Sequence, residues 1–167
     1  VNNSSKAPIK IIGVGNDWRG DDAAGLLVVR SLRPELPPGV EICESPETAS
    51  TLQDLWQNAA RVIVVDAVVA GDSPGTIYRF DAHAPGATFP VSHSPSTHGW
   101  GLSEALAMGK VFQNFPPRLI IYGIEGKNFT LTKGVSPAVA AAIPEAARRI
   151  KLEIQEWLGE EDLKEQS

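Results

Sequence analysis

Four consecutive β-branched residues, Val62, Ile63, Val64 and Val65, run directly into Asp66. A strand with one wet face alternates apolar and polar residues, and this run does not alternate. It must therefore be covered on both faces, as in the centre of a mostly parallel sheet. Helices then have to lie above and below it, which predicts a three-layer α/β sandwich. The run also ends on a carboxylate, and a carboxylate at the end of a buried strand needs a partner or a ligand.

The rest of the chain fits this frame. Ile9 to Val14 is a short apolar run ending at Gly15-Asn16 and reads as a second buried strand. Asp21 or Asp22 then suits the N-cap of a helix over 22–33, with Leu27, Val28 and Leu32 at helical spacing and Pro34, Pro37, Pro38 and Gly39 as its stop. A strand is expected over 40–43. Ser50 and Gln53 form a capping-box pattern before Leu52, Leu55 and Trp56. The β-branched strand spans 61–66. After a turn at Gly71 to Pro74, a strand over 75–80 reads as a hairpin-like antiparallel return at a sheet edge.

Residues 81–97 carry Pro85, Gly86, Pro90 and Pro95 and read as a long loop, of a length that is often functional in a compact domain. Leu102, Ala105, Leu106, Met108 and Phe112 mark a helix over 100–113. A further buried strand spans 118–122, closed by Gly123. Ser136-Pro137 opens a last helix whose stripe is Val139, Ile143, Ala147, Ile150, Ile154 and Leu158. Pro144 should kink or divide it. Residues 1–8 and 160–167 read as loose ends. With no repeat and no Gly/Ser linker, 1–167 is expected to be a single α/β domain.

Composition removes several classes of function. The formal net charge is −5, which argues against nucleic acid or an anionic membrane as partner. Cys43 is the only cysteine, so an internal disulfide and a cysteine metal cluster are both excluded. No apolar run approaches the roughly 20 residues of a membrane span. The polar first residues lack a signal-peptide centre. A cytoplasmic protein is expected.

Three segments place a metal-ligand side chain where a strand hands over to a loop or helix. They end in Asp22, Asp66 and His98. In open α/β sheets ligands bind beyond the carboxyl ends of the strands, so all three would converge on one edge if the sheet is parallel there. Two carboxylates and an imidazole suit an intermediate divalent ion such as nickel or zinc and leave coordination positions open. Plainer roles stand beside these. Asp22 on its own reads more readily as a helix cap, and His98 equally as a cap or surface residue, while His93 is a rival ligand. His83 reads as a solvated loop residue and Cys43 as a small apolar packing group. Trp18 and Trp100 either line the site or pack in the core. A dinucleotide loop fits poorly, because Trp18 stands where a third glycine is required. The P-loop and G-x-S-x-G patterns are both missing.

The chain resembles the hydrogenase maturation proteases. Gly13-Val14-Gly15-Asn16 with Gly20-Asp21-Asp22-Ala23-Ala24-Gly25 is similar to that family's opening motif. Val64-Val65-Asp66-Ala67 with Pro74-Gly75-Thr76 is similar to its second, and His98-Gly99-Trp100-Gly101-Leu102-Ser103-Glu104-Ala105-Leu106 to its third. Gly134-Val135-Ser136-Pro137-Ala138-Val139 resembles its entry to the last helix. The resemblance implies a twisted five-stranded sheet with helices on both faces. It also implies that Asp22, Asp66 and His98 are the metal-binding and catalytic residues, with His98 selected over His93. The implied activity is removal of a C-terminal peptide from the nickel-loaded large-subunit precursor of a nickel–iron hydrogenase. The nickel would belong to the substrate, and the enzyme would be a monomer. A non-cleaving nickel-dependent checkpoint or chaperone is the alternative. Pro46-Glu47-Thr48 departs from the family's Gly-Gly-Thr stretch.

Overall fold

The computed structural model describes residues 9–45, 49–86, 89 and 102–165. Five strands, β1 (Ile9–Val14), β2 (Val40–Ser45), β3 (Arg61–Val68), β4 (Ile77–Asp81) and β5 (Arg118–Glu125), form one sheet in the order β2-β1-β3-β5-β4. Every pair is parallel except β4 with β5. Among the described residues the α-helices are α1 (Ala24–Leu32), α2 (Ala49–Trp56), α3 (Leu102–Phe112) and α4 (Pro137–Glu165).

Strand alternation sorts the core into two layers. Ile9 and Ile11 of β1, Ile63 and Val65 of β3, and Ile120 and Tyr122 of β5 pack against α1 and α4. Ile12, Val14, Val62, Val64, Leu119 and Ile121 pack on the other face against α2 and α3. The three-layer sandwich follows from β1, β3 and β5 being apolar on both sides, as the unalternating runs predict. The stripe from Val139 to Leu158 does lie on the sheet. Cys43 packs, half-buried, against the α2/α3 layer.

Several local expectations are corrected. The first helical segment starts as a 3-10 turn, Gly20–Ala23, and α1 has Ala23 at its N-cap with no side-chain cap. Ser50 falls inside α2, and the Gln53 amide donates instead to the Ala105 carbonyl on α3 (3.5 Å). Strands β3 and β5 both run past their expected ends, so Asp66 and Gly123 sit within the ladder as register partners. α4 continues through Pro144 without dividing and reaches Glu165. Phe112 is exposed rather than part of the buried helix face. The loose N-terminus and most of the 81–97 loop lie outside the described residues.

β4 is antiparallel at the edge as expected, but its partner is β5 rather than β3. The chain leaving β3 passes over the end of β5 and is pinned there. Glu125, buried at the end of β5, accepts the backbone N–H groups of Ala70 (2.9 Å) and Gly71 (3.0 Å). Its own backbone closes on Gly75 and Thr76. Among the described residues no helix is long and apolar enough to cross a membrane.

Candidate active site

The chain leaves β1 through α1 to β2 on one side and reaches β3 on the other, so the topology switches direction between β1 and β3. A crevice beyond the carboxyl ends of the strands is the expected consequence. The β1–β3 ladder ends with Gly13 opposite Val65, which sets Asp66 level with Val14, the last residue of β1. By alternation with Val62 and Val64, the Asp66 side chain belongs to the α2/α3 face, and it is 6% exposed. Asp22 lies in the 3-10 turn that follows β1, is 2% exposed, and its turn contacts β3. The two carboxylates thus flank the switch point.

Close backbone approach brings them there. Gly15 has φ +145°, and a Cβ on it would strike the carbonyl oxygen of Asp22. Gly25, in the first turn of α1, sits against the carbonyl oxygens of Val14 and Val65, where a Cβ has no room. The glycines of the opening motif therefore let the 3-10 turn and α1 fold down onto β1 and β3.

Asp21 and Asp22 are adjacent and both buried, yet they do different things. One oxygen of Asp21 accepts the Ser136 backbone N–H (2.6 Å). The other accepts those of Lys127 (2.8 Å) and Asn128 (2.9 Å) and the Ser136 hydroxyl (3.1 Å). Burial alone would push its carboxyl up, but these donors outweigh it and hold it below the usual aspartate range. Asp21 is a structural clamp between the β1–α1 turn and the loop before α4. The sequence offered no local signal of this, since the donors lie more than 100 residues away.

The remaining expectations divide. His98 and its rival His93 lie outside the described residues, as do Trp100 and the Pro46-Glu47-Thr48 departure. α3 joins β5 at the amino end of the strands, so its first residue, Leu102, faces the edge that carries Asp66. His83 is exposed at the opposite edge, with Nε2 at 2.8 Å from the Pro116 carbonyl oxygen. Trp18 is 64% exposed and not a core residue. It walls a hollow of about 300 Å³ with Gly15, Asn16, Leu26 and Arg30, beside the Asp22 backbone. Among the described residues no three His, Cys, Asp or Glu form a metal-binding group.

Known proteins share this fold. The family model HycI, hydrogenase maturation protease, matches residues 28–153, a span that takes in Asp66 and begins beyond Asp22. The hydrogenase 2 maturation protease of Escherichia coli (strain K12) is 28% identical over 151 residues, 89% of this chain and 91% of its own. A Methanocaldococcus jannaschii protein assigned to the hydrogenase maturation proteases is 32% identical over 160 residues, 90% of this chain and 98% of its own. The solved structure of the hydrogenase maturating endopeptidase HybD from E. coli superposes with a TM-score of 0.72 at 25% identity, over 89% of this chain and 93% of that one. Sequence and fold agree over nearly the whole described chain, which belongs to the hydrogenase maturation protease family of endopeptidases.

Proposed function

We propose that this endopeptidase removes a C-terminal peptide from the nickel-loaded large-subunit precursor of a nickel–iron hydrogenase. In this reading Asp22, Asp66 and His98 recognise nickel carried by the substrate. The observation that carries it is the pair of buried carboxylates flanking the switch point between β1 and β3. Two buried carboxylates about one crevice suit a cation as their counterpart.

Carboxylate oxygens and an imidazole nitrogen are borderline donors that fit nickel(II) and leave positions for the precursor's own ligands. His98 precedes α3 by four positions, and the start of α3 lies at this edge. The protein's part is to seat the precursor's metal centre against Asp22 and Asp66 and so bring the adjoining peptide bond into the crevice. A nickel ion there would polarise a bound oxygen, and a carboxylate beside it can take the proton of an attacking water. Hydrolysis then depends on a filled hydrogenase centre.

The test is prolonged incubation of nickel-loaded precursor with the wild type and with Asp66→Asn and Asp22→Asn, read by the mass of the precursor. Trimming by the wild type and a loss of about 100-fold or more in each variant is expected, with melting curves still cooperative. Normal trimming by Asp66→Asn would remove its assigned role. Binding by the wild type without any released peptide would mark a checkpoint rather than a protease.

A further inference from the structure

Trp18 is displayed to solvent on a turn that is held from both sides. Its backbone N–H donates to the Asn16 side chain (2.9 Å). The preceding Asp17 is gripped in two places by Arg30 of α1 (2.7 and 2.9 Å), and the same guanidinium holds Glu44 of β2 (2.7 Å). On its other flank, Arg19 bridges Thr132, and Gly20 donates to the Thr132 carbonyl (2.9 Å). This brings in the loop before α4. Lys133 sets its ammonium 5.3 Å from the centre of the Trp18 ring, and Leu131 is 87% exposed.

A lone exposed apolar residue is ordinary on a protein surface. Here the indole and Leu131 lie on the two strands of chain joined by the Arg19–Thr132 bridge, next to a cation, on a turn already ordered before any contact is made. An anchor fixed in advance loses little entropy on binding. Trp18 is also four residues from Asp22, and it walls a hollow with Gly15, whose backbone lies against the Asp22 carbonyl oxygen. Lys133 sets a cation beside this indole, on a chain whose formal net charge is −5.

We propose that Trp18, Leu131 and Lys133 form a docking anchor for the protein substrate, taking a surface segment that sets an apolar side chain beside a carboxylate. This rests on the reading of the substrate as a large-subunit precursor. The anchor would act on affinity and leave the hydrolytic step to the carboxylates.

Trp18→Ala and Lys133→Glu test it against the nickel-loaded precursor, by direct binding and by steady-state trimming. Leu152→Ala, on the exposed side of α4, is the control. Roughly tenfold or greater weakening is expected in Kd and in KM for Trp18→Ala, with kcat and melting temperature held. Lys133→Glu should weaken binding and flatten its salt dependence. Kd and KM unchanged in both variants would overturn the anchor. A wild type that binds without trimming would overturn the protease reading, while the ratio of dissociation constants still decides the anchor. Failure of the wild type to bind at all would overturn both. A wild-type dimer lost in Trp18→Ala, with precursor affinity intact, would assign the face to a second copy and overturn the proposal.

Discussion

A carboxylate oxygen of Asp21 lies 2.6 Å from the backbone nitrogen of Ser136, 115 residues further along the chain. The contact ties the turn after β1 to the entry of α4. It fixes the turn that carries the neighbouring Asp22, and it commits the first acidic residue of the motif to structure.

Asp21→Asn replaces one acceptor oxygen with an NH₂ group facing N–H donors. A loss of about 2–3 kcal/mol is expected by urea denaturation. The pH dependence follows from the direction of the shift. The folded carboxyl titrates below the unfolded value of about 3.9, so its stabilisation is fully present above that value. It is lost as the pH falls through the lower folded value. Acid titration of the wild type should show this loss, and the Asn variant should lack its Asp21 component.

Gly25→Ala places a methyl group against the carbonyl oxygens of Val14 and Val65. Backbone cannot yield as a side-chain tip can, so α1 must lift from the sheet. Destabilisation of about 3 kcal/mol is expected, with trimming impaired at temperatures where the variant remains folded. A thermal melt paired with the mass assay separates the two effects. Unchanged trimming in a folded variant would show that the approach of α1 does not set the site.

Glu153→Ala removes a buried carboxylate on α4 that accepts from Arg79 of β4 (Oε2 to Nε, 2.8 Å) and from the Tyr122 hydroxyl of β5 (2.9 Å). Burial raises its carboxyl, and Arg79 and Tyr122 more than reverse this. Arg79 is 47% exposed and can rehydrate, so the loss should be about 1–3 kcal/mol, below that of a fully enclosed pair. The pair lies on the α4 face of the sheet, opposite the face to which Asp66 belongs, and trimming by folded protein should be unaffected.

Much of this was legible from local pattern. The apolar runs of β1, β3 and β5 and the α4 stripe each bury a face that the sequence displays as periodicity. The burial of Asp66 follows from the apolar run that leads into it. What was not legible depends on distant partners. β3 extends past Asp66 because β5 continues the ladder to Glu125. β4 pairs β5 because the carboxylate of Glu125 and the turn it holds route the chain over it. Asp21 reads as a cap only until the loop at Lys127 to Ser136 comes to meet it. Trp18 looks like a core residue by type, and only the Arg19–Thr132 bridge beside it and the hold of Arg30 on Asp17 turn it outward.

In the proposed function, substrate nickel licenses the cut. The direct measurement is intact mass of purified large-subunit precursor, nickel-loaded and nickel-free, after equal incubation with the wild-type protein. Loss of a C-terminal peptide from the loaded form alone is the expected result. Equal trimming of both forms, or none from a loaded precursor that binds, would contradict it.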